Sequence, residues 1–113
     1  IQTNTPISQF VVTANGSSAY RFGGAGFPAG TSGDNPDLHL KKGQTYYFRN
    51  TSSGHPFEIR SASGGSAYST GVTNNNASGS TGVVEFHVPM DAPATLYYQC
   101  SSHAAMLGTI NIT

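Results

Sequence analysis

Leu96-Tyr97-Tyr98-Gln99-Cys100-Ser101-Ser102-His103-Ala104-Ala105-Met106 is the stretch on which the reading of this chain turns. Its first half alternates: Leu96, Tyr98 and Cys100 share one face and Tyr97 and Gln99 the other, the period-two pattern of a strand with one buried side. Its second half drops the alternation and places an imidazole and a thioether after the thiol, at the spacing Cys-x2-His-x2-Met. A lone cysteine is commonly a small buried hydrophobe and methionine a filler of core gaps. Here the three donors together offer a different chemistry. Thiolate and thioether suit Cu(I), imidazole suits both oxidation states, and one more histidine completes a trigonal His2Cys set with a weak axial Met. His55, in Gly54-His55-Pro56-Phe57, is placed to supply it. The candidate site is therefore one copper, held by His55, Cys100, His103 and Met106.

Outward from that stretch the strand pattern recurs. Phe10-Val11-Val12 and Ala19-Tyr20-Arg21-Phe22 open the chain, and Gly23-Gly24-Ala25-Gly26 with Pro28 and Gly30 reads as a long turn. Leu38 and Leu40 face one way with His39 between them. Lys41-Lys42-Gly43 then turns the chain into Thr45-Tyr46-Tyr47-Phe48-Arg49. Phe57 and Ile59 alternate with Glu58 and Arg60, and Val84, Phe86 and Val88 with Glu85 and His87. A turn from Pro89 to Pro93 leads into the quoted stretch, and Ile110 and Ile112 close the chain. Residues 61–81 hold little but Gly, Ser, Thr and Asn around Tyr68 and Val72; so long an unpatterned stretch is unusual in a compact domain. Seven to eight short strands without a helix predict an all-β, Greek-key β-sandwich. Cys100 should end one strand at a pole of that sandwich, with His103 and Met106 in the following turn and His55 at the end of a neighbouring strand.

Composition narrows the function classes. The 113 residues are the size of one domain, and neither a linker nor a repeat divides 1–113. Net charge is zero with 9% charged residues, which leaves no basic patch for nucleic acid. No apolar run is long enough for a membrane-spanning helix. A single cysteine excludes an internal disulfide, structural zinc sites that need several thiolates, and a dicopper site bridged by two. The start at Ile1 rather than Met leads us to expect a processed product or a segment of a longer chain. Low charge with abundant Ser, Thr and Asn suggests an exported location: periplasmic, extracellular, or surface- or virion-associated.

Taken together, Asn35-Pro36-x-Leu38-x-Leu40-x-x-Gly43-x-x-Tyr46-x-Phe48-x-Asn50, then His55-x-Phe57, then Val84 to Pro93 leading into Leu96-x-Tyr98-x-Cys100, resemble the cupredoxins, the type 1 blue copper proteins. The short Cys-to-Met loop is nearer in length to that of amicyanins than of plastocyanins. The likeness spans roughly residues 35–113, and 1–34 add only compatible strands. It implies a copper electron-transfer domain and a redox protein partner. It departs from the family at Pro56, where many cupredoxins place an Asn that braces the ligand loop; Asn50 or Ser101 is the expected substitute.

Of the remaining candidates, His39 and His87 alternate onto outward faces and Met90 sits in a turn, all without an expected ligand role. Tyr97 and Tyr98 should divide between surface and core. The residues flanking Cys100 are Gln99 and Ser101, not the histidines through which multicopper oxidases relay electrons, and four protein ligands leave no open position for substrate. An enzyme is not expected. Ala104, Ala105 and Leu107 around His103 would form a small apolar contact for weak redox docking. The alternative is a structural or adhesion module, packed against neighbouring domains of a larger surface or virion assembly, that retains the fold and copper site. Copper storage or delivery is a weaker third reading, since carriers favour exposed, exchangeable sites.

Overall fold

A computed structural model describes residues 8–24, 33–77 and 82–113. These form nine strands and no helix: β1 Ser8–Asn15, β2 Ala19–Gly24, β3 Leu38–Leu40, β4 Thr45–Asn50, β5 Phe57–Arg60, β6 Val72–Thr73, β7 Gly82–His87, β8 Thr95–Cys100 and β9 Leu107–Ile112. They pair into a five-stranded sheet, β2-β1-β4-β7-β6, and a four-stranded sheet, β3-β9-β8-β5. Most pairings are antiparallel; β1 with β4 and β3 with β9 are parallel.

The alternation in the sequence becomes the two inner faces of this sandwich. Phe10, Val12, Phe48, Val84 and Phe86 point inward from one sheet and Leu38, Phe57, Ile59, Leu96, Tyr98 and Ile110 from the other, each almost wholly buried. Each such side chain contributes about 1.5–3 kcal/mol by leaving water. Aromatic rings run through the middle: Phe10 stacks on Phe48, Phe48 on Phe57 and Phe57 on Tyr98, with centroids 5.0, 5.1 and 5.6 Å apart. Tyr98 also dictates Gly108, its partner across the β8–β9 ladder. A Cβ on Gly108 would lie 2.1 Å from the Tyr98 hydroxyl, so the ring lies flat over a residue that has no side chain.

The strand count exceeds the expectation by β6, a two-residue strand on β7 inside the stretch expected to lack structure. Otherwise that stretch is tied to β5 by isolated backbone bridges, Phe57 with Ala77 and Arg60 with Ala67, and by side chains rather than by a continuous ladder. Asn75 accepts from the Ile59 N–H at 2.9 Å and donates to the Ile59 and Tyr68 carbonyls at 3.1 and 3.2 Å, taking the place of a strand along β5. A polar loop thereby covers a sheet edge that would otherwise offer unpaired backbone groups. Residues 78–81, at the end of the same stretch, lie outside the described residues. So does most of the long turn expected after Phe22. Its first two residues, Gly23 and Gly24, instead extend β2, paired with Val11 and Phe10.

His39 and His87 are exposed and Met90 is 72% exposed, as their outward positions predicted. Tyr98 is buried and Tyr97 half-buried.

Candidate metal centre

Two features of register build the site. β8 and β9 form a hairpin in which Gln99 faces Leu107, and the connecting loop 101–106 is its turn. The Cys100 N–H donates to the Met106 carbonyl at 2.9 Å and the Met106 N–H to the His103 carbonyl at 3.0 Å, which folds the loop back over the strand end. Separately, β5 begins with Phe57 opposite Cys100. The segment 51–56, crossing from β4 in one sheet to β5 in the other, therefore delivers His55 to the same pole.

There the His55 Nδ1 lies 3.2 Å from the His103 Nδ1, and the Cys100 Sγ lies 3.8 and 3.6 Å from the two nitrogens. A point equidistant from all three atoms is about 2.1 Å from each, the length of a metal–imidazole bond and within about 0.2 Å of a metal–thiolate bond. His55, Cys100 and His103 form a metal-capable cluster among the described residues. Cys100 is 1% exposed, while both imidazoles are partly exposed. Two imidazoles and one thiolate converging in this way fit a single type 1 copper. Met106 is buried at the base of the loop, tied by its backbone to both Cys100 and His103.

The brace that Pro56 cannot supply comes from elsewhere. Asn50, fully buried at the end of β4, donates to the His55 carbonyl at 2.7 Å and the Ala77 carbonyl at 3.0 Å, and accepts from the Ser52 N–H at 2.9 Å. This is the substitution expected of Asn50. Ser101 contributes too, but through its backbone: its N–H donates to the Pro56 carbonyl at 3.3 Å, which joins the two ligand segments directly.

Two supports were not legible in the sequence. Gln99 sits on the outward-alternating side of β8 yet is 3% exposed. Its Nε2 donates to the Ala104 carbonyl at 3.0 Å, and its Oε1 accepts from Arg60 and from the Gly64 N–H, both at 2.9 Å. Arg60 is itself paired with Glu58 at 2.6 Å. A polar clamp thus grips the ligand loop from the outer face of the sheet. Tyr20 is the other. Its hydroxyl reaches the His55 and Pro56 carbonyls at 2.8 and 2.9 Å, so residues 1–34 supply part of the site's frame and not merely compatible strands. Burial pushes the Tyr20 phenol far above its usual range, with Cys100 acting in the same direction, which keeps it a proton donor.

The paired sheets and their mixed strand order make this a cupredoxin-like fold. It resembles a purple cupredoxin from Nitrosopumilus maritimus with a TM-score of 0.56 at 17% identity, covering 94% of this chain and 99% of that one. A reduced Cu(I) form of an amicyanin variant matches with a TM-score of 0.52 at 16% identity over 99% of this chain and 87% of that one. Rusticyanin from Thiobacillus ferrooxidans matches with a TM-score of 0.51 at 22% identity over 93% and 76%. No family profile matches the sequence, and no curated protein matches it either.

Proposed function

We propose that the protein is an electron carrier whose one type 1 copper would be held by His55, Cys100 and His103, with the Met106 thioether as a further, weak donor. The observation that supports this most directly is the donor triangle of 3.2, 3.6 and 3.8 Å. Copper bound to such a set exchanges one electron with little change in its ligands. The chain's own part is to keep that arrangement rigid. The β8–β9 hairpin fixes Cys100 and the loop after it, Asn50 and Tyr20 hold the carbonyl of His55, and Gln99 holds that of Ala104.

The protein face around His103 suits brief docking of a redox partner. Ala104 and Ala105 are exposed beside the partly exposed ring, giving a small uncharged contact of the kind used by weak redox encounters. We read the chain as a carrier rather than an enzyme, because a thioether closing the donor set leaves substrate no position. No helix among the described residues is long and apolar enough to cross a membrane, and an exported location fits the composition. The alternative of a structural or adhesion module finds no support in the comparisons.

Titration with Cu(II) tests the reading. One equivalent should give an intense thiolate-to-copper band in the visible, lost in Cys100→Ser. A colourless stoichiometric complex, or a band that survives Cys100→Ser, would refute it. For the docking face, Ala105→Glu should slow electron exchange with a partner while leaving that band in place, since a charge opposes close apolar contact.

A further inference from the structure

We propose that Tyr20 is a positioning residue of the metal centre, its hydroxyl locking the joint between the segment that carries His55 and the segment that carries Cys100 and His103. The inference rests on the copper reading but reaches a residue far from the ligand motif, on β2.

The joint is the Pro56 carbonyl. It accepts from the Ser101 N–H at 3.3 Å, the direct backbone link between the two ligand segments. The Tyr20 hydroxyl lies 2.9 Å from that same oxygen and 2.8 Å from the His55 carbonyl one residue earlier. A phenol has one proton, so two successive carbonyls turn toward one donor, and their peptide planes are fixed relative to each other. Pro56 has no N–H and cannot be anchored through its own backbone nitrogen. The hydroxyl therefore acts where the sequence lacks the side-chain brace expected after the first histidine.

Tyr20 is itself immobilised. Its ring is fully buried, edge-on to Phe57 at 5.3 Å and tilted against Tyr98 at 6.1 Å. Its backbone is gripped by Asn35, whose Oδ1 accepts the Tyr20 N–H at 2.9 Å and whose N–H donates to the Tyr20 carbonyl at 2.8 Å. Asn35 adopts a left-handed φ of 46°, a conformation Asn tolerates better than most residues, and its Nδ2 donates to the Ala105 carbonyl at 3.3 Å. A single pair of residues from outside both ligand segments thus touches each of them.

A buried tyrosine needs a partner for its hydroxyl wherever it sits, so the test must separate positioning from mere satisfaction. Tyr98 provides the control. It is equally buried and in the same ring cluster, but its hydroxyl donates to the Pro36 carbonyl at 2.6 Å, away from the ligand segments. Tyr20→Phe and Tyr98→Phe should cost similar global stability. Only Tyr20→Phe should weaken Cu(II) affinity, by roughly 10–100-fold, the range for lost outer-sphere partners of metal ligands, and shift the thiolate band. In metal-free protein only Tyr20→Phe should speed amide exchange at Ser101. Equal effects of the two variants on affinity and on Ser101 exchange would overturn the proposal. If wild-type protein gives no thiolate–copper complex, the copper reading fails, and Ser101 exchange alone then decides the role of Tyr20: selective loss of protection in Tyr20→Phe upholds the clamp, and its absence overturns it.

Discussion

Replacing Asn50 by Ala removes the amide that pins the crossover carrying His55, and the structure allows the cost to be worked out group by group. The His55 carbonyl loses one donor but keeps the Tyr20 hydroxyl. The Ala77 carbonyl likewise keeps the Phe57 N–H at 2.9 Å. Each of those lost bonds contributes about 1 kcal/mol. The Ser52 N–H is different: it donates to the Asn50 Oδ1, in a residue only 8% exposed, and is left stranded at about 1–3 kcal/mol. These come to about 3–5 kcal/mol before the small cavity and the Ser52 hydroxyl, which also donates to the Asn50 Oδ1, are added, a large share of the 5–15 kcal/mol typical of a domain. Urea and thermal melts of metal-free protein measure it, and the melting temperature should fall by about 15 °C or more. Asn50→Asp should not rescue it, because it keeps the acceptor for Ser52 but turns a carboxylate oxygen toward two carbonyls. A loss below about 1 kcal/mol for Asn50→Ala would refute the argument that this side chain fixes the loop.

Other outcomes follow from the same geometry. Met106→Leu should retain copper and raise its potential, since a weak donor to the oxidised ion is removed; voltammetry checks this, and complete loss of copper would make Met106 a principal ligand. Gly108→Ala drives a Cβ into the Tyr98 ring and should cost about 1–3 kcal/mol by overpacking, measured by the same melts; a neutral effect would mean β8 and β9 separate freely. Asp34 has its carboxyl held below the ordinary value mainly by its hydrogen bond from Arg21, with Asn15 adding to it. A depressed carboxyl stabilises the fold above the unfolded-state pKa and loses that contribution as pH falls through the folded one. Asp34→Asn should therefore flatten the acid limb of a stability–pH curve, and superimposable limbs would show the pair to be inert.

Alternation made most of the fold readable. Residues such as Val84, Phe86 and Val88, or Leu96, Tyr98 and Cys100, leave one face apolar because burial acts on every second residue of a strand, and the structure buries all six. The proposed ligands Cys100, His103 and Met106 could be picked out for a related reason, since they lie within one hairpin and their spacing is local. Where side chains replace backbone ladders the pattern gave no warning: Asn75 along β5, and the buried Gln99 on a face that alternation assigned to solvent.

What the sequence determined by itself is thus the class of fold, through periodicity, and the chemistry the candidate donors can offer, through residue type. What only the tertiary structure decided is which distant groups meet at the site. The register of Phe57 on Cys100 brings His55 to the loop, and the packing of β2 brings the Tyr20 hydroxyl onto the His55 and Pro56 carbonyls. Contacts between residues far apart in the chain depend on how two whole sheets stack, and a periodic local signal carries no information about that. The triangle of donors is a property of the sandwich, not of the motif that announces it.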